Sequence, residues 1–387
     1  MKRDTHVLSW AERMRRQINR AVFSRTSGTG TMPGLLVLVF TVSLTHSGAI
    51  LPPPSKGRVK VVREAEFCTL AERPGKNAER LTAHLAFRSL PTGVGAPGDV
   101  RALEEIDRLI DAGKLQEARE KLAGQVRALG ESHRTFFLEA KILFREQKYR
   151  ESLKILEHCL ALNQQDADVF KLVASNAILI NRVDIAETAL KKAIQVAPDD
   201  YLAYFHLGAL YYTDSRFPLA KPVLRKAVKL NPEFVPARLF LGLALEELQG
   251  EEEAIQCYRQ AIELTERFKV KGEQPYFYLG RLLYRQNHFP ESLPYLEKAV
   301  EVNPQSCEGL CLMARVFTTQ GREKAAMEAL AKCVKADPRY AEAHYLLSRA
   351  YVKQGRHDEA QKELQLFQEL KLLEKKTFDP RRGQRRN

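Results

Sequence analysis

Between residues 99 and 374, apolar and small residues recur at the spacing of an amphipathic helix, with Gly, Asn or Pro punctuating the pattern at a fixed interval. Units opening at 99, 133, 167, 201, 235, 273, 307 and 341 share one register. Seven of the eight are 34 residues long, and the fifth has 38 through extra residues around Arg267 to Gly272. Four residues make about one helical turn, so this insertion can lengthen a second helix without losing the phase of its apolar face. A period of this length predicts an all-α chain of repeated antiparallel helix pairs.

Each recurring position has a physical role. A small residue at position 8 (Ala140, Ala174, Gly208, Gly242, Gly280, Ala314, Ser348) lets the two helices of a hairpin approach closely. Positions 7, 11 and 24 fill the space around that contact. Gly or Asn at position 15 (Gly113, Asn181, Asn287, Gly321, Gly355) suits the left-handed residue that ends a first helix. Pro198, Pro232, Pro304 and Pro338 break the chain between units.

The first unit departs from this scheme. It has Glu105 and Ile106 at positions 7 and 8, which predicts a degenerate first helix acting as an end cap. Units four and six carry proline pairs, Pro218 with Pro222 and Pro290 with Pro294. The first of each pair suits an opening helical turn, whereas the second deletes a backbone hydrogen bond one turn later, so bent second helices are predicted there.

The fourth unit places Tyr204, Leu207, Gly208, Tyr211, Ala220, Leu224, Ala227 and Pro232 at positions 4, 7, 8, 11, 20, 24, 27 and 32, and resembles the tetratricopeptide repeat family. The sixth resembles it through Tyr276, Leu279, Gly280, Leu283, Leu296, Ala299 and Pro304, with Ser292 replacing the usual alanine. The eighth does so through Leu347, Tyr351, Ala360 and Leu364. The resemblance implies a right-handed superhelical solenoid of about eight units, whose first helices line a concave groove with positions 2, 5, 9 and 12 pointing inward.

Carried onto this chain, the resemblance makes Phe137, Lys171, Phe205, Phe277 and Tyr345 groove contacts at position 5. Lys141, Arg281, Arg315 and Arg349 follow at position 9, and Tyr212 and Tyr284 at position 12. The three arginines recur in successive units and are expected to form a ladder. Guanidinium forks beside aromatic faces suit an extended peptide with acidic side chains or a free C-terminal carboxylate. The opposing reading is that Glu308 and Glu342, at position 2 of neighbouring units, pair with these arginines and leave a charge-balanced face. The family's carboxylate-clamp pattern of Lys and Asn at positions 5 and 9 is not reproduced, because Lys171 is followed by Ser175.

Charge changes the picture less than its total implies. The net charge is +13, but positions 100 to 370 hold 39 basic and 39 acidic residues, so the body is neutral and the ends are basic. Nucleic-acid affinity comes largely from phosphate neutralisation, so no specific nucleic acid is expected as a partner. The C-terminal tail from 375 to 387 alone offers weak, salt-sensitive contact with nucleic acid or anionic lipid.

At the N-terminus, Leu35 to Leu44 is an uncharged apolar run of about ten residues with arginines upstream and Ser47-Gly48-Ala49 downstream. Residues 1–49 read as a signal peptide, with Ile50 the first mature residue and an exported protein, periplasmic or secreted, the result. The alternative is an uncleaved inner-membrane anchor over residues 33–51. Met14 and Met32 are further candidate starts. Residues 50–98 read as a linker, with a short helix over Asn77 to Leu90 covering the open end of the repeats. The GxGxxG of Gly93, Gly95 and Gly98 has no preceding strand and carries Pro97 in its loop, so it reads as a hinge rather than a dinucleotide site.

Six cysteines, at 68, 159, 257, 307, 311 and 333, are too few for a disulfide scaffold. Cys307 and Cys311 have the spacing of half a zinc site, but no CxxC or HxxxH nearby supplies the rest. Cys159 and Cys333, both at position 27, read as small core residues. No HExxH, Walker loop, GxSxG or CxxCH occurs. The expectation is a non-catalytic scaffold or adaptor that binds a protein or peptide without cofactor or metal. The alternatives are an RNA- or anionic-surface-binding repeat protein, or a substrate-recruiting subunit of a separately encoded enzyme.

Overall fold

The structure, a computed structural model, describes residues 97–269 and 272–377. The signal or anchor segment, the linker helix, the glycine hinge up to residue 96, Cys68 and residues 378–387 of the basic tail lie outside the described residues.

Sixteen helices account for the regular structure of the described residues. They are α1 (Pro97–Asp111), α2 (Leu115–Leu129), α3 (His133–Arg145), α4 (Tyr149–Leu162), α5 (Ala167–Leu179), α6 (Val183–Val196), α7 (Tyr201–Thr213) and α8 (Phe217–Leu230). The series continues with α9 (Val235–Glu247), α10 (Glu251–Arg267), α11 (Gln274–Arg285), α12 (Phe289–Val302), α13 (Cys307–Thr319), α14 (Glu323–Ala336), α15 (Ala341–Lys353) and α16 (His357–Thr377). Two compact units divide them, with α1–α8 in the first and α9–α16 in the second. Within each unit, consecutive helices pack as antiparallel pairs and each second helix packs on the first helix of the next pair.

The helix boundaries follow from local chemistry. Asp166 and Asp200, each the last residue of a 34-residue period, cap α5 and α7 by accepting the amides of Asp168 and Leu202, both at 2.9 Å. Ser132 caps α3 within a capping box with Thr135, and Ser306 caps α13. Every first helix then ends at position 15 in a left-handed residue, with φ between 60° and 76°. Three of these, Gln147, Ser215 and Gln249, are neither Gly nor Asn. The next amide returns to the carbonyl at position 11, as in Arg216 to Tyr211 at 2.8 Å and His288 to Leu283 at 2.9 Å, which closes the helix end.

The close approach within a hairpin is made at position 8. A Cβ added to Gly280 would lie 2.8 Å from Leu296 Cγ, and one added to Gly208 would lie 2.5 Å from Leu224 Cγ. Ser292, which replaces alanine at position 20, is fully buried and donates its hydroxyl to the Phe289 carbonyl at 3.1 Å. The insertion in the fifth unit extends α10 to 17 residues, where α12 and α14 have 14. Both α8 and α12 run as single helices with Pro222 and Pro294 inside them. The first unit is less degenerate than expected, since α1 spans 15 residues and seats Ile106 and Ile110 against Ala118, Leu122, Leu138 and Ile142.

Candidate functional site

The residues expected to line a groove divide by depth. Phe137, Phe205 and Phe277 are 5%, 1% and 5% exposed, so they are core residues. First helices of successive repeats touch one another within a unit, as α1 and α3 do, and α11 and α13 do. Tyr212 and Tyr284 are half-buried and lie against Phe217 and Phe289, with ring centroids 5.5 and 5.4 Å apart.

Cations in the first unit are already engaged. The Lys141 ammonium, buried on α3, contacts Asp107 and lies 3.6 Å from Asp111, both on α1. Lys171 on α5 reaches Asp168 at 2.7 Å and the cap residue Asp200 at 2.6 Å. Burial disfavours its charge, but the two carboxylates outweigh that and raise its pKa. These lysines tie neighbouring elements together.

In the second unit the arginine ladder is only partly open. The Glu246 carboxylate at the end of α9 is buried and accepts hydrogen bonds from the Tyr258 hydroxyl at 2.5 Å, Arg281 at 3.0 Å and Arg285 at 2.7 Å. Arg281 also lies 5.0 Å from the Tyr278 ring centroid. Arg315 donates to Glu342 at 2.7 Å, the pairing raised from the sequence, and its side chain keeps 38% exposure. Arg349 is exposed, 6.0 Å from the Tyr345 ring centroid, and Tyr345 is 36% exposed.

Glu308 behaves differently from Glu342. Only 6% exposed near the start of α13, it has a buried Oε1 without a hydrogen-bond partner. Burial pushes its carboxyl up to about 8; Arg281 opposes the shift, while Glu342 and Glu273 add to it. Burial also raises the neighbouring Cys311 thiol well above its ordinary range and pushes the Tyr340 phenol upward. Protonated, buried thiols are poor nucleophiles, so the site's chemistry is that of hydrogen bonding, guanidinium contact and apolar packing.

Three features escaped the sequence reading. Cys333 is not a free core thiol, because it forms a disulfide with Cys307 across the α13–α14 hairpin, with Cα atoms 4.7 Å apart. Positions 1 and 27 also meet in the second repeat, where the Cys159 thiol donates to the His133 carbonyl at 3.3 Å, so the repeat register held the signal for this pairing. The second feature is Glu246 as the acceptor for two arginines. The third is buried His344, whose Nδ1 lies 2.5 Å from Glu363 and whose Nε2 lies 2.9 Å from the Pro338 carbonyl. Among the described residues, no group of three or more His, Cys, Asp or Glu side chains is arranged to hold a metal ion.

Family models described as tetratricopeptide repeat match residues 180–220 and 210–267, 274–306 and 317–369. The chain is 24% identical over 35% of its length to the anaphase-promoting complex subunit CDC16 of Saccharomyces cerevisiae, covering 16% of that protein. It is 23% identical over 48% of its length to the BBSome complex member BBS4 of Bos taurus, covering 35% of that protein. The chain thus spans about a third or less of these curated relatives. A solved structure, YrrB, a TPR protein with an unusual peptide-binding site, is 22% identical with a TM-score of 0.40, over 48% of this chain and 93% of its own.

Proposed function

The chain belongs to the tetratricopeptide repeat family, and from that premise we propose that it is a non-catalytic scaffold holding a partner polypeptide along the first helices of its second unit. One observation carries this reading. Position 9 is 6% exposed in Lys141, whereas Arg281 and Arg315 keep 19% and 38% of their side chains open, Arg281 5.0 Å from the Tyr278 ring centroid and Arg315 beside half-buried Tyr284. Guanidinium edges next to aromatic faces suit a segment with acidic side chains or a free carboxylate. The repeats occupy 97–377 almost without interruption, and the relatives named above carry the names of subunits of multiprotein complexes.

The proposed setting is the cell exterior or an exported compartment. The disulfide between Cys307 and Cys333 supports it, since such cross-links persist in oxidising surroundings. Sequencing the mature N-terminus tests this, with Ile50 the expected first residue.

Partner binding is tested by titrating an acidic peptide library against the wild-type chain and a Tyr284→Ala, Arg315→Gln double variant. The expected outcome is enrichment of peptides rich in Asp or Glu, or with free C-termini, and their loss from a variant of unchanged helicity. Retention of every peptide by the folded variant overturns the assignment. Salt-sensitive RNA binding with no peptide binding would favour the nucleic-acid alternative.

A further inference from the structure

His344 is buried on α15, and both of its ring nitrogens face acceptors. Nε2 lies 2.9 Å from the Pro338 carbonyl, which only accepts, so Nε2 carries a hydrogen. Nδ1 lies 2.5 Å from Glu363 Oε2 on α16. Bare lone pairs on both atoms would repel at that distance, so a second hydrogen sits between them. The pair therefore holds one proton more than a neutral imidazole beside a carboxylate, whichever of the two atoms keeps it.

The charged groups on the surrounding elements are placed or engaged elsewhere. Among the described residues, Glu363 is the one carboxylate within ion-pair distance of His344. In the turn before α15, Asp337 accepts the Arg339 amide at 3.0 Å. Arg315 on α13 takes Glu342 of α15 at 2.7 Å, and Glu308 of α13 is coupled to Arg281, Glu342 and Glu273. Lys332 and Lys335 on α14 are exposed.

The contact joins the turn at Pro338, α15 and α16. Phe367 stands one turn beyond Glu363 on α16 and lies against Tyr345, the residue after His344, with ring centroids 5.2 Å apart. The polar pair and the ring pair are thus neighbours in the seam between the two helices. That seam is what holds α16, which packs against α15 and has no helix after it among the described residues.

We propose that His344 and Glu363 form a proton-dependent latch that holds α16 on α15 and releases it as pH rises. Glu363 keeps 21% of its side chain open, which gives solvent access to the shared proton. Once that proton leaves, the neutral ring has two tautomers. With hydrogen on Nε2, the Nδ1 lone pair faces the carboxylate; with hydrogen on Nδ1, the Nε2 lone pair faces the Pro338 carbonyl. Either tautomer forfeits one of two buried hydrogen bonds and sets two acceptors against each other. The latch is closed at low pH and opens as the proton is lost, loosening Phe367 from Tyr345. It needs no ligand, so it is tested apart from the groove.

The test is amide hydrogen exchange of the full chain from about pH 5 to about pH 9, a span around the imidazole range. Rates are converted to protection factors, which remove the intrinsic pH dependence of exchange. Protection of α16 in the wild type should fall about tenfold across the span, the scale of one lost buried hydrogen bond. Glu363→Gln should abolish that fall, because the Gln amide donates to Nδ1 while Nε2–H still donates to Pro338, with no extra proton needed. Glu308 also loses a proton as pH rises, but it is present in both chains, so the difference between them reports the latch. Heteronuclear NMR of the His344 ring, assigned by its loss in His344→Gln, should titrate over the same span as α16 protection. Circular dichroism checks that Glu363→Gln keeps the fold.

Protection of α16 that stays flat in the wild type, or that falls as steeply in folded Glu363→Gln, overturns the proposal. So does a His344 ring that titrates outside the span in which α16 loosens.

Discussion

Glu308 and Glu187 give single residues opposite dependences on pH. The folded chain keeps a proton on Glu308 up to about 8, whereas the unfolded chain releases it near the ordinary 4.5. Its stability contribution is therefore fully present below 4.5 and declines as pH rises towards 8. Glu308→Gln should raise the thermal midpoint, and the gain should be larger at about pH 8.5 than at about pH 4.5 in unfolding followed by circular dichroism. For Glu187, burial opposes the charge, but hydrogen bonds from Lys191, Arg216 and Tyr211 outweigh it and hold the carboxyl at about 2. That stability is present above 4.5 and is lost as pH falls towards 2. Glu187→Gln should lower the midpoint near neutrality, with the deficit shrinking as acid is added. Little of this was legible in the sequence: Lys191 stands one turn along α6 from Glu187, but Tyr211 and Arg216 are brought to it from the next repeat. Arg281 shows the same limit: Glu308 is its expected partner by register, yet its guanidinium bonds to Glu246.

At the scale of the element, the register was legible because the same contacts recur at the same positions. Position 8 is the clearest case. Gly280→Ala should destabilise the chain by about 1–3 kcal/mol, the cost of overpacking, because the new methyl meets the Leu296 side chain at 2.8 Å. Denaturant unfolding measures it, and a change within error would show that α12 yields to the added atom. Position 15 was legible only where Gly or Asn occupies it. Gln249, with φ of 60°, adopts the same left-handed backbone without the residue type that announces it. Gln249→Gly should therefore stabilise the chain by roughly 1 kcal/mol in the same assay. Position 5 misled for a related reason: aromatic residues there look like ligand contacts until folding buries Phe137, Phe205 and Phe277 in the core.

Across the whole molecule, the repeat organisation could be read from the period, whereas nothing in the sequence sets the division at Asn231 and Pro232 apart from the like breaks at Pro198, Pro304 and Pro338. Nor did the engaged state of the ladder, since a list of arginines does not say which carboxylates will reach them. In a stack of repeats, stability is approximately a sum of hairpin terms and nearest-neighbour terms, so a hairpin with one neighbour opens before those with two. Among the described residues of the second unit, α15 and α16 stand in that position after α13 and α14. The disulfide from Cys307 to Cys333 closes the preceding hairpin across 26 residues, a cross-link of a kind worth roughly 3 kcal/mol by chain entropy. Fraying therefore has a covalent stop. Amide hydrogen exchange should show a protection step between α15 and α13 in the oxidised chain. Treatment with a reductant should move that step inward past α14, leaving α11 and α12 unchanged, so that one bond decides how much of the array melts as its last cooperative block.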